Sequence, residues 1–404
     1  MSFAKYILPA LAASQVAFAA SLKLTQFCFA FPGGDTTVSS QSDADGIATC
    51  SKLKGDITIS KSYSGSLSLA GIETITGSII CNGGENVTDI TAASLTSIGD
   101  AFDLEGLTRL TELSFAELTS VGSIKWSALP KLQSLSFTTG VTDAGDVVIQ
   151  NTGLTSLDGI SLKTVNQFEI ENNRDLQKIN INNLQNATDL ISFSGNYDQL
   201  EIELPNLGTG TNMTFRNISS ISLPSLEKLT GQLGFWGTEF TTFSAPNLTT
   251  TGDLVFNDNS KLSNISMPVL KTVNGGFTIA RNDKLSTISL PKLEKVTGAI
   301  DFSGKFNTVD LAGLTDVEGG FNLQSTDGTF NCSHFASIRK TVIKGTYECD
   351  ASSSNPTTSN GKSGTSSSSS SSSTSTSSGA AVVNGASIAV GGVAAFFYAV
   401  AQLL

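Results

Sequence analysis

One histidine, His334, serves the whole 404-residue chain, and that scarcity removes the usual general base of hydrolytic sites. A Ser-His-Asp arrangement would have to be built on it. It stands in Asn331-Cys332-Ser333-His334, beside a candidate cap disulfide, where a solvated role fits better than catalysis. Neither a His-Glu-x-x-His segment nor paired Cys-x-x-Cys spacing is present, which excludes the common zinc signatures. P-loop and dinucleotide glycine signatures are missing too, so no cofactor is expected. Basic charge is short: 24 Lys and Arg face 35 Asp and Glu, for a net charge of −11. Nucleic acid is therefore not an expected partner. Proline (9), tryptophan (2) and tyrosine (5) are sparse, whereas glycine (38) and phenylalanine (23) are plentiful. That balance points to many short β elements with apolar interiors rather than to helices.

The two ends read as processing signals. Residues 1–19 form a signal peptide: one Lys at position 5, an apolar run from Tyr6 to Phe18, and small residues at Ala17 and Ala19. Residues 351–379 are almost wholly Ser, Thr, Asn, Gly and Lys, too polar to offset the entropy of ordering, and read as an O-glycosylated stalk. Small residues at 378–381, a short spacer and an apolar tail from Ile388 to Leu404 with no basic residue behind it have the layout of a glycosylphosphatidylinositol (GPI) signal. Gly379 is the expected attachment residue, with Ser378 and Asn384 as alternatives, and 380–404 the propeptide removed on anchoring. Secretion gives meaning to seven Asn-x-Ser/Thr sequons, at Asn86, Asn186, Asn212, Asn217, Asn247, Asn264 and Asn331.

Between the ends, residues 20–350 carry a repeat. Its core is apolar-x-apolar, usually opened by glycine, as in Gly55-Asp56-Ile57-Thr58-Ile59 and Gly252-Asp253-Leu254-Val255-Phe256. The first apolar position recurs at Ile57, Ile79, Phe102, Ile124, Val147, Phe168, Ile191, Met213, Leu233, Leu254, Phe277, Ile300 and Phe321, in steps of 20 to 23 residues. Period-two alternation sends this lane and the lane two residues on to the same side of a strand. The expected fold is all-β: a right-handed parallel β-solenoid of about thirteen coils, each unstable alone and stable in the stack. A second marker keeps the same period: Leu204-Pro205-Asn206-Leu207, Leu223-Pro224-Ser225-Leu226, Met267-Pro268-Val269-Leu270 and their counterparts, where proline fixes a turn. Asn172, Asn173, Asn257 and Asn282 suit a polar turn after the main strand.

Cys28 and Cys50 precede the first coil and Cys332 and Cys349 follow the last. A solenoid needs caps at both ends, so the expected bridges are Cys28–Cys50 and Cys332–Cys349. Cys81 lies in the inward lane with Ile59 and Leu104, which favours a free, buried thiol. A Cys50–Cys81 bridge is the competing arrangement and would pull that lane out of register.

The outward lanes carry acids at Asp56, Asp103, Asp146, Glu169, Glu171, Asp253 and Asp301. A β-helix glycoside hydrolase or lyase would need such acids paired, but only Glu169 and Glu171 share a strand face. A solvated sheet surface accounts for the rest, and the chain is read as non-catalytic. For binding, the lane just after the main strand offers Arg216, Trp236 and Asn257 as a candidate glycan contact, since an amphipathic ring stacks on sugars. The competing account packs Trp236 beneath a loop or glycan.

Two stretches carry a resemblance. Cys28, Ser40–Asp45 and Cys50-Ser51-Lys52-Leu53-Lys54-Gly55 look like the opening of receptor L domains. More closely, the run from Cys28 to about Cys349 resembles the fungal GPI-anchored cell-wall-organisation proteins of the extracellular-mutant and sporulation-specific family. The matching stretches are Leu157-Asp158-Gly159-Ile160, Ala245-Pro246-Asn247-Leu248-Thr249, Ile265-Ser266-Met267-Pro268, Phe321-Asn322-Leu323-Gln324-Ser325-Thr326 and the Ser-rich tail. The resemblance implies a leucine-rich β-helix, with a division into two L-domain-like halves near residue 190. It also implies a cell-surface glycoprotein acting in wall integrity and mannoprotein organisation. Expected partners are wall polysaccharides or mannoproteins and the GPI lipid, with the chain a monomer; the family pattern supplies no catalytic residue.

Overall fold

A computed structural model describes residues 27–29 and 34–358 of the chain. The inward lane predicted from the repeat is a hydrogen-bonded parallel ladder. Ile57 pairs with Ile79, Ile79 with Phe102, Phe102 with Ile124, and so on through Leu254, Phe277 and Ile300 to Phe321. All thirteen first-lane residues, and their partners two positions on, are no more than 2 % exposed. Each large side chain so buried contributes roughly 1.5 to 3 kcal/mol. Phenylalanines line the second lane, edge-on for Phe193–Phe215 with ring centroids 5.8 Å apart and stacked for Phe215–Phe235 at 5.4 Å and Phe235–Phe256 at 5.2 Å.

The stack is longer than the thirteen expected coils. Thr36–Val38 pairs ahead of Ile57–Ile59, and Tyr347–Asp350 pairs behind Phe321–Gln324, adding a rung at each end. The division expected near residue 190 falls inside the strand Asn186–Ser194, which is paired on one side with Ile160–Glu171 and on the other with Thr209–Arg216. Hydrogen bonding runs through it.

Three local devices bend each coil. Ahead of the main strand, glycines let successive backbones touch: a Cβ at Gly252 would lie 2.4 Å from the Gly231 carbonyl oxygen, and one at Gly298 would lie 2.6 Å from that of Gly275. After the main strand, most coils turn through one left-handed residue, among them Asn151, Asn172, Gly195, Asn217, Gly237 and Asp258, with φ between 53° and 64°. The x-Pro-x-Leu markers are β-turns closed by i+3 N–H to i C=O bonds, such as Leu226 to Leu223 and Leu293 to Leu290, with proline at the favoured second position.

At the corner next to the left-handed residue runs a buried polar ladder. Asn173 Oδ1 accepts from the backbone N–H and hydroxyl of Thr152, and Asn196 Oδ1 accepts from the N–H of Asn173. The pattern repeats four coils on, where Asn259 Oδ1 accepts from Thr238 N–H and hydroxyl and Asn282 Oδ1 from Asn259 N–H. Each amide NH2 reaches back to the carbonyl of a main strand, Asn259 to Phe235 and Asn282 to Phe256. The expected turn residues Asn173 and Asn282 are thus buried structural braces; Asn172 is the left-handed residue and Asn257 ends a main strand.

Helix α1 (Gln41–Ile47) closes the front of the solenoid with Ala44 and Ile47 buried, and α2 (Ser333–Val342) closes the back with Phe335 inward. His334 is exposed on α2, its ring 5.2 Å from that of Phe335. Cys332 and Cys349 are bridged across this cap, with Cα atoms 6.0 Å apart. Closing that loop stabilises the cap by about 3 kcal/mol on the loop-entropy estimate. Cys50 is disulfide-bonded, and the side chain of its expected partner Cys28 lies outside the described residues. Cys81 is free and fully buried, which rules out the Cys50–Cys81 alternative.

The stalk does not begin at 351. Residues 351–358 fold back over the outward face of the last coils: the Thr357 N–H donates to Gln324 Oε1, Asn322 Nδ2 donates to the Thr357 carbonyl, and the Ser353 N–H donates to the Ser325 carbonyl. This strap buries Asp301, Asn322 and Gln324, each at most 6 % exposed. Asp301 is therefore not on a solvated surface as expected; Asn322 Nδ2 donates to its carboxylate at 2.8 Å. The signal peptide, the stalk beyond 358, Gly379, Ser378, Asn384 and the propeptide lie outside the described residues.

Candidate binding face and groove

The outward acids are mostly occupied. Asp56 Oδ1 accepts the N–H of Ser78 on the next coil at 2.7 Å, and Asp253 Oδ1 accepts that of Gly276 at 2.6 Å. Asp146 accepts from the Gln167 N–H and from Asn166 Nδ2, while Asp189 accepts from Gln167 Nε2. Such bonds tie each coil to its neighbour at the bend, a role that charge patterning does not reveal. Glu169 and Glu171 project from one strand, and Glu171 accepts from Ser194 at 3.3 Å. Burial, followed by the nearby charges of Glu171, Asp146 and Asp189, raises the Glu169 pKa above its ordinary 4.5. Burial likewise raises that of Asp103. Among the described residues no cluster of three or more His, Cys, Asp or Glu side chains is arranged to hold a metal ion.

Arg216, Trp236 and Asn257 are brought together as expected, on consecutive coils in one register. Trp236 is already engaged. Its benzo ring fills the space where a Cβ at Gly234 would sit, 2.1 Å from that point, and the Arg216 guanidinium lies 4.4 Å from the ring centroid. Both Trp236 and Asn257 are half-buried, while Arg216 is exposed. The cation–π contact and the packing on Gly234 favour this placement of the ring over the sheet. Trp126, by contrast, belongs to the inward lane and is 1 % exposed.

A groove lies elsewhere, at a coil that sequence inspection did not single out. Six positions separate the inward Phe215 from Ile221, against nine from Phe193 to Ile202 and eight from Phe235 to Phe243. The shortened connection replaces the corner asparagine with buried Ile218 and interrupts the polar ladder. Between its longer neighbours it leaves a groove of about 960 Å³, lined by Tyr197, Gln199, Asn217, Ser219, Glu239 and Lys261 among others. Counting the spacing between inward lanes would have found it.

Five sequon asparagines, Asn86, Asn217, Asn247, Asn264 and Asn331, are exposed, and Asn186 and Asn212 are half-buried. Asn212 Oδ1 accepts the N–H of Gln232 and Asn186 Oδ1 accepts from Thr209, so these two also brace neighbouring coils.

Comparison with known proteins resolves what the geometry alone leaves open. The family model described as "Ecm33: GPI-anchored cell wall organization protein" matches residues 1–48, and six copies of a BspA-type leucine-rich repeat cover 96–217 and 191–307. The chain is 58 % identical to "Protein ecm33" of Aspergillus fumigatus over 100 % of its own length and 99 % of that protein. The chain belongs to the Ecm33 family. Other relatives are "Cell surface GPI-anchored protein" of Arthroderma benhamiae, 41 % identical over 90 % of this chain and 91 % of that one, and "Cell wall protein ecm33" of Schizosaccharomyces pombe, 34 % identical over 77 % and 74 %. A leucine-rich repeat protein from Bacteroides ovatus aligns with 74 % of this chain and 94 % of its own at 14 % identity and a TM-score of 0.31, a likeness too loose to carry an argument.

Proposed function

We propose that this Ecm33-family chain is a non-catalytic, GPI-anchored surface glycoprotein that organises the cell wall by holding wall polysaccharides or mannoproteins on the outward face of its solenoid. What carries the reading is the use made of outward polar groups. Asp56, Asp146, Asp189 and Asp253 are spent on bonds within the sheet and between coils, whereas hydrolysis of a glycosidic bond needs two carboxyls facing each other across a substrate. The naming of relatives as cell-wall and cell-surface proteins supports it further. The proposed contact is Arg216 and Asn257 with the half-buried Trp236 between them: the polar pair offers donors and acceptors to sugar hydroxyls, and the indole, its face covered by Arg216, adds an apolar edge. A pull-down of the secreted, glycosylated ectodomain on insoluble β-glucan, chitin and mannan tests this. Retention on one polymer that Trp236→Ala lowers supports the contact. Equal retention of both proteins refutes the assignment to Trp236, and turnover of any polymer refutes the non-catalytic reading.

A further inference from the structure

One wall residue of the groove at the shortened coil is a glycosylation acceptor: Asn217, of the sequon Asn217-Ile218-Ser219. The asparagine is exposed, its backbone is held at φ 56° with its N–H donating to the Trp236 carbonyl, and its side-chain amide makes no hydrogen bond to a described residue. The rest of the lining suits a neutral, hydroxyl-rich ligand. Tyr197 supplies a half-buried ring, and Gln199 a side-chain amide. Both lysines in the lining are ion-paired, Lys178 with Glu203 and Lys261 with Glu239, so neither is left to attract an anion.

We propose that the groove is a saccharide site whose occupant is the protein's own N-glycan, carried on Asn217, with the first two N-acetylglucosamine units lying against Tyr197 and Gln199. In the linkage, Asn217 Nδ2 displaces a lipid diphosphate from C1 of the first sugar and loses one proton to the departing diphosphate. A tether of one side chain holds that sugar at a millimolar-scale effective concentration in the groove, which a free wall polymer would have to outcompete. An amphipathic ring and an amide are the groups that hold a sugar core through stacking and hydrogen bonds. The docked glycan fills the notch that the missing corner leaves in the stack, and so takes the place of the two or three residues its neighbours spend there.

The test reads one site by mass spectrometry. Ectodomain secreted from a fungal host is treated with an endoglycosidase that cuts between the two core N-acetylglucosamines, and release at Asn217 is followed in native and in denatured protein. We expect Asn217 to be occupied and its glycan to be released at least about tenfold more slowly in the native protein, the factor that one stacking contact and one or two hydrogen bonds supply. Tyr197→Ala should restore fast release with glycan occupancy unchanged. Gln199→Ala, which removes an exposed side chain and leaves the fold alone, should do so in part. An empty Asn217, equal native and denatured rates, or slow release that survives both substitutions in proteins with wild-type melting temperature would each overturn the proposal.

Discussion

Replacing Asn259 with leucine puts the corner ladder to a quantitative test. Asn259 is fully buried, and its side chain makes three hydrogen bonds to two neighbouring segments of one coil: it accepts from Thr238 N–H at 2.9 Å and from Thr238 Oγ1 at 2.7 Å, and donates to the Phe235 carbonyl at 3.3 Å. Leucine is close in size, so little cavity forms. The Thr238 hydroxyl can turn to another acceptor and the Phe235 carbonyl stays in a strand paired on both sides, but a buried N–H is left without a partner, at about 1 to 3 kcal/mol. The expected cost is therefore about 1 to 3 kcal/mol. Denaturant unfolding of the ectodomain measures it, and hydrogen exchange should place the loss in the coils around Phe235 and Phe256, since a stack transmits damage mainly to its neighbours. Asn257→Leu, two residues away on the half-buried outward lane, should cost under about 0.5 kcal/mol as a surface substitution. Equal costs at 257 and 259, or a cost at 259 below about 1 kcal/mol, would refute the claim that the ladder braces the corner.

Three further outcomes follow from the same geometry. Glu169 has its pKa raised by burial and by neighbouring carboxylates, so the fold favours its protonated form; ionisation destabilises the protein as pH rises past that pKa. Glu169→Gln should consequently raise the melting temperature at pH 7, with the gain vanishing below about pH 4.5, where the wild-type side chain is protonated in both states. The buried Cys81 thiol, pushed up to about 11 by burial, should resist alkylation in the native protein at pH 8 and react once the chain unfolds. Gly298→Ala, which drives a methyl to 2.6 Å from the Gly275 carbonyl, should lower stability by about 1 to 3 kcal/mol as overpacking does, measured by thermal unfolding; no change would show that the coils are not in backbone contact there.

Much of the fold was legible because its signal is doubly periodic. Alternation within a strand fixed which side chains point inward, and the 20 to 23 residue step fixed their partners, so Ile57 through Phe321 fall in one ladder. The end rungs were harder to read: Thr36-Thr37-Val38 and Tyr347-Glu348-Cys349 replace the aliphatic pair with Thr, Tyr or Cys. Polar residues mislead in the same physical way. Asn173, Asn259 and Asp301 look like surface and are buried, because a solenoid satisfies their hydrogen bonds from adjacent coils or from the strap at 351–358. At the binding face, register alone aligned Arg216, Trp236 and Asn257. That the indole packs over Gly234 and under Arg216 depends on rotamers, which spacing does not encode.

If a folded outward face, and not hydrolysis by its acids, sustains the wall, cells whose only copy is Glu169→Gln/Glu171→Gln resist a chitin-binding dye as the wild type does, and cells carrying Asn259→Leu are hypersensitive to it. Hypersensitivity of the double variant, with its ectodomain folded and displayed at wild-type level, would contradict a wall sustained without hydrolysis by those acids.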